Sequence, residues 1–148
     1  MGTTRRIAAA AVAAAVVILA LLAVGGCTAG GPEAAARQIL DLEREGRFDE
    51  SYALLHPDLQ AQVTVAEYVA AKRASFGPLV IANREVGKAR ILERWTFEAQ
   101  QMTAEYTDVA EVPFVIWLRA PDGSEKAFDQ TLHLARAADG TWRFFWLP

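Results

Sequence analysis

Few residues in this chain could do chemistry, and their spacing limits what that chemistry is. There is a single cysteine, Cys27, and there are two histidines, His56 and His133. A lone thiol cannot close an internal disulfide, and no paired-cysteine or HExxH spacing offers a metal site. No GxSxG elbow, phosphate-cradling glycine loop or serine with a triad is present either. Asp129 and His133 fall in a segment that alternates like a strand, which puts them on one face but roughly 13 Å apart, too far for a direct hydrogen bond. They also lie opposite Phe128, Leu132 and Leu134, so a solvent-facing surface is expected for both. His56 precedes Pro57 at a helix end, where it is expected to cap carbonyls or pack the turn.

The remaining candidates are aromatic. Trp95, Trp117, Trp142 and Trp146 all fall in the C-terminal half, and Trp142, Phe144 and Trp146 alternate. With Tyr52 from the helical half, the four tryptophans are candidate lining for a pocket that takes an apolar or glycan ligand. The competing expectation is a core that uses large rings to fill a concave sheet, since strands select aromatics in any case. Tyr52, Tyr68 and Tyr106 are the possible hydrogen-bond donors of such a pocket, and the sequence alone does not identify an acidic partner for them.

Cys27 has a context of its own. "MGTTRRIAAAAVAAAVVILALLAVGGC" opens with Arg5 and Arg6, continues from Ile7 to Val24 without a polar residue, and closes with Gly25 and Gly26. A positive end, an apolar run and small residues make an export signal. "VGGC" (Val24 to Cys27) resembles a bacterial lipobox, with Val24 where leucine is commonest. The resemblance implies a diacylglyceryl group on the Cys27 sulfur, cleavage between Gly26 and Cys27, and acylation of the new N-terminus. Two acyl chains suffice for stable anchoring at about 0.8 kcal/mol per buried methylene. An uncut helical anchor and an ordinary secreted protein are the competing readings; nine of the 18 apolar residues are alanine, which leaves the run weakly hydrophobic for a permanent span.

Residues 1–26 are thus expected to be a lipoprotein signal peptide, 27–31 a lipidated cysteine with a flexible tether, and 32–148 one α+β domain outside the cytoplasm. Loss of Arg5 and Arg6 leaves 13 basic residues against all 18 acidic ones, a net charge of −5. That excess gives no reason to expect nucleic acid as a partner.

The elements that must position the aromatics follow. "PEAAARQILDLEREG" places Ala36, Ile39, Leu40 and Glu43 at helical spacing from Pro32, with Gly46 as a stop. Asp49 can cap a second short helix carrying Tyr52, Leu54 and Leu55, interrupted at Pro57. "TVAEYVAAKRASFGP" predicts a third, with Thr64 and Glu67 as a capping box and Tyr68, Val69, Lys72 and Phe76 following. From Leu79 the grammar is that of strands: "PLVIANREVGKARILERWTF", then "VPFVIWLRA", "AFDQTLHLARA" and "TWRFFWLP", with turns at Asp122-Gly123 and Asp139-Gly140. Three helices followed by an antiparallel meander of about four strands is an α+β layout, and the helices are the available cover for the sheet.

This order is similar to the nuclear-transport-factor-2-like fold, carried best by "FDESYALLHPDLQAQVTVAEYVAAKRASFG" and by the closing "DGTWRFFW". The likeness extends to small bacterial lipoproteins of that superfamily and to the N-terminal extension of some penicillin-binding proteins. It implies helices packed on a strongly curved sheet, and a pocket between them. The expected role is a non-catalytic binding or interaction domain, anchored to the membrane by the Cys27 lipid. Its partner would be an envelope protein or a small apolar ligand, and it would need no further cofactor. A pocket enzyme of isomerase or dehydratase type and an accessory to cell-wall synthesis are the alternatives.

Overall fold

The computed structural model describes residues 30–99 and 102–146. Cys27 and the export segment lie outside the described residues. Four helices precede five strands: α1 (Pro32–Arg44), α2 (Phe48–Tyr52), α3 (Pro57–Gln60), α4 (Val65–Phe76), then β1 (Val80–Val86), β2 (Arg90–Ala99), β3 (Met102–Arg119), β4 (Glu125–Arg136) and β5 (Trp142–Phe144). The α+β layout is as expected, with five strands where the sequence indicated about four. All strand pairings are antiparallel.

The extra strand comes from a break in one long run. β1 and β2 both pair with the same edge of β3: Val86 faces Phe114 and Arg90 faces Glu111, while β4 occupies the other edge from Ala110 to Arg119. The break falls at residues 87–89. Gly87 N–H bonds to the Pro113 carbonyl at 2.8 Å, and a Cβ on Gly87 would sit 2.9 Å from Pro113 Cγ. Only glycine allows that approach, so the chain bends there instead of running on.

β3 begins ten residues before the segment picked out in the sequence, at Met102 rather than Val112. Its early part alternates between half-buried and exposed residues, and polar residues on the open side hide it from a search for apolar runs. Asp108 there takes φ 54°, a left-handed conformation that aspartate tolerates better than most residues. The β2–β3 hairpin thus extends past the end of β4 and bends back toward the helices, where the Tyr106 hydroxyl donates to Asp58 Oδ2 at 2.7 Å.

Helix α1 lies across the sheet. Ala35, Ala36, Ile39, Leu40, Leu42 and Glu43 are its buried residues. Leu40 packs with Ile81 and Ile116, while Ala36 and Ile39 join the main core of Leu55, Tyr68, Phe97, Val109, Val112, Leu134 and Phe144. Two polar ties fix it: Arg84 Nε donates to Asp41 Oδ1 at 2.9 Å, and Glu33 Oε1 accepts the Ala89 N–H at 2.9 Å. The capping box of α4 is present, with Thr64 Oγ1 accepting from Glu67 N–H and Glu67 Oε2 accepting from Thr64 N–H. The short helix α3 has no counterpart in the sequence pattern. His56 is the N-cap of α3, and its Nδ1 accepts the Asp58 N–H at 3.3 Å, so it serves a helix start rather than capping carbonyls at an end. Strand β5 is guarded by the helical layer: His56 N–H bonds to Phe144 O and Phe144 N–H to Leu54 O. These two bonds occupy an edge that would otherwise be open to another chain.

Candidate functional site

Between α1, α4 and the sheet lies a cavity of about 390 Å³. Trp95, Phe97, Phe114, Phe144, Phe145 and Trp146 supply its aromatic wall. Glu43, Lys72, Ser75, Gln130, Thr131 and His133 supply the polar atoms. Apolar walls with a few placed polar groups are the usual make-up of a small-molecule site.

The polar centre is an ion pair that the helices bring together. Lys72 Nζ lies 2.6 Å from Glu43 Oε1, with the two side chains only 13% and 7% exposed. Glu43 sits on the buried face of α1, and Lys72 stands one turn beyond Tyr68 on α4. The Tyr68 hydroxyl donates to the same Glu43 oxygen at 3.2 Å and lies 3.0 Å from Ser51 Oγ. Ser51 Oγ in turn donates to the Phe48 carbonyl at 3.1 Å. Burial, and then the Glu43 charge, push the Tyr68 hydroxyl above the usual tyrosine range, so it remains a protonated donor. The Lys72 ammonium also lies over the rings of Tyr68 and Trp146, at 5.6 and 6.0 Å from their centroids. Trp146 meets Tyr68 edge-on at 4.9 Å. Tyr68 therefore has the acidic partner that the sequence did not reveal. The signal was the presence of Glu43 in an otherwise apolar stripe, and of Lys72 four residues after a buried tyrosine.

At the other end Trp95, His133 and Phe145 belong to a pile of rings that flanks the cavity. His133 stacks on Trp95 at 4.4 Å, Trp95 meets Phe145 at 4.9 Å, and Phe145 stacks on His56 at 4.7 Å. Tyr106 packs edge-on to His56 at 5.1 Å. Each histidine also faces a carboxylate: His133 Nε2 is 3.4 Å from Glu111 Oε2, and His56 Nδ1 is 3.5 Å from Asp58 Oδ2. Burial lowers the pKa of both imidazoles, and the carboxylates only partly oppose it. Both rings are therefore neutral at neutral pH.

The aromatics named from the sequence are divided by the fold. Trp95 and Trp146 line the cavity, joined by Phe145, which breaks the expected alternation because the chain leaves the strand at Phe144. Trp142 is buried in the core instead, with the Arg136 guanidinium 4.5 Å over its ring. Its Nε1 has no hydrogen-bond partner among the described residues. Trp117 stands between Ile116 and Leu118, which pack on the helix side, so its own side chain points to the outer face of the sheet. Tyr52 is spent on structure, its hydroxyl donating to the Val63 carbonyl at 2.9 Å. Asp129 is exposed, as expected, but His133 is not: the curled β2–β3 hairpin brings Trp95 over it. The two do not form a pair.

Among the described residues no group of three histidine, cysteine, aspartate or glutamate side chains is placed to hold a metal ion. No protein-family model matches the chain, and no curated protein matches it.

Proposed function

We propose that this protein is a lipid-anchored, extracytoplasmic binding domain of the nuclear-transport-factor-2-like kind, whose helix–sheet cavity takes a small, largely apolar ligand. The observation that carries the reading is the aromatic cavity with its charges already paired at 2.6 Å. A pocket isomerase or dehydratase needs a carboxylate free to receive a proton from the substrate. Glu43 is held by an ammonium and a phenol instead, which favours binding over turnover. Helices laid on a sheet that bends at Gly87 and Asp108 support the fold assignment. The "VGGC" segment supports the anchor, and the short "TAGG" tether would hold the domain close to the membrane.

Two measurements test this. Native mass spectrometry of the full chain extracted from its own membranes should show a retained small molecule, and its removal should leave an apo form that rebinds it. Recovery of only unliganded protein bound to an envelope protein would favour an interaction role. Cys27→Ser should abolish fatty-acid labelling and membrane retention. A Cys27→Ser variant that stays membrane-bound with its N-terminus uncut would establish the helical anchor in place of the lipid.

A further inference from the structure

The cavity wall carries a more specific instruction about its ligand, one that rests on the binding reading above. Of the residues that line it, Glu43 is the one carboxylate and Lys72 the one ammonium, and they pair and neutralise each other. A charged ligand would enter an apolar space that holds no spare counter-charge, and burying an uncompensated charge is costly. The pair nevertheless has hydrogen-bonding capacity to spare. Glu43 Oε1 accepts from Tyr68 and pairs with Lys72, and among the described residues Glu43 Oε2 receives no hydrogen bond. Lys72 has three N–H donors, and its ion pair with Glu43 Oε1 is its one contact with a carboxylate within the described residues. A hydroxyl both donates and accepts, so one such group can bond to Glu43 Oε2 and receive from Lys72. Trp146, beside Lys72, and Phe145, stacked toward the far end, offer the flat surfaces for the rest of the molecule.

We infer that the cavity selects an uncharged amphiphile, with its hydroxyl seated at Glu43 and Lys72 and its apolar body against Trp146 and Phe145. The class is that of an apolar alcohol rather than a fatty acid or an amine.

Three probes sharing one apolar body separate these cases: naphthalenemethanol, naphthoate and naphthylmethylammonium. They would be titrated calorimetrically into the detergent-purified full chain at pH 7.5, against a detergent blank. The alcohol should bind about tenfold or more tightly than either ion, because only it enters without unpaired charge. Glu43→Gln leaves Lys72 uncompensated and should move the preference to naphthoate. Lys72→Met leaves Glu43 uncompensated and should move it to the ammonium. If either single variant fails to fold, Glu43→Gln/Lys72→Met restores a neutral wall and should keep the order of the unaltered protein. Equal affinity for all three probes, or an order unchanged in the single variants, overturns the charge selection while leaving the cavity reading in place. Binding of none of them overturns both.

Discussion

Replacing Lys72 by methionine keeps most of the methylene stem and deletes the ammonium, so it isolates the charge. The carboxylate left behind is 7% exposed and loses a partner at 2.6 Å. Breaking a buried pair from one side costs about 3–5 kcal/mol. Glu43 keeps the Tyr68 hydroxyl at 3.2 Å and borders a cavity, not solid core, which places the cost near the lower end. About 3 kcal/mol corresponds to a fall in Tm of ~12 °C for a domain of this length. Glu43→Leu alone strands the ammonium against the Tyr68 and Trp146 rings, and should cost about 3 kcal/mol for the same reason. Glu43→Leu/Lys72→Met removes both charges and leaves the Tyr68 hydroxyl satisfied by Ser51. It should lie within about 1 kcal/mol of the unaltered protein, because a buried pair exchanged for apolar groups is close to neutral. The assay is a double-mutant cycle by denaturant unfolding of the four proteins, with a coupling of at least ~2 kcal/mol expected. Additive costs would refute the reasoning, since they would mean that neither charge depends on the other for its burial.

Acid should destabilise the fold in a window set by the two histidines. Both folded pKa values lie below the usual 6.5, so the stability these groups contribute is complete above that value and is lost as pH falls through the lowered ones. Tm should therefore drop as pH falls below about 6.5, and His56→Gln/His133→Gln should flatten the profile; a Tm that holds or rises there contradicts the assignment of buried neutral rings. Thr64→Ala deletes half of the α4 capping box and should cost about 1 kcal/mol by denaturant unfolding, while Thr64→Ser should restore most of it.

Local rules were legible where local chemistry sets the outcome. The start of α1 at Pro32, the Thr64–Glu67 box and the turn glycines Gly123 and Gly140, at φ 85° and 79°, depend on neighbours within a few residues. The helix-then-strand order gave the α+β class for the same reason. Some of the site could also be read. Trp95 and Trp146 line the cavity, and Glu43 and Lys72 stand as charged residues within the helical stripes, though nothing in the sequence pairs them.

What the sequence could not show was which distant residues meet. Glu43 and Lys72 are 29 positions apart, and their approach is a property of how the helices are packed together. His133 reads as solvent-facing because strand alternation is a rule about one strand, whereas the bent β2–β3 hairpin laid Trp95 over it. Likewise Trp117 and Trp142 were inseparable from Trp95 and Trp146 until the packing of the helices on one face of the sheet assigned each a place. By itself the sequence determined the local elements and an N-terminus with the pattern of an export signal, because backbone propensity, capping and apolar periodicity act at short range. Only the tertiary structure decided the site, because its charges and rings come from segments that nothing but the packed core holds together.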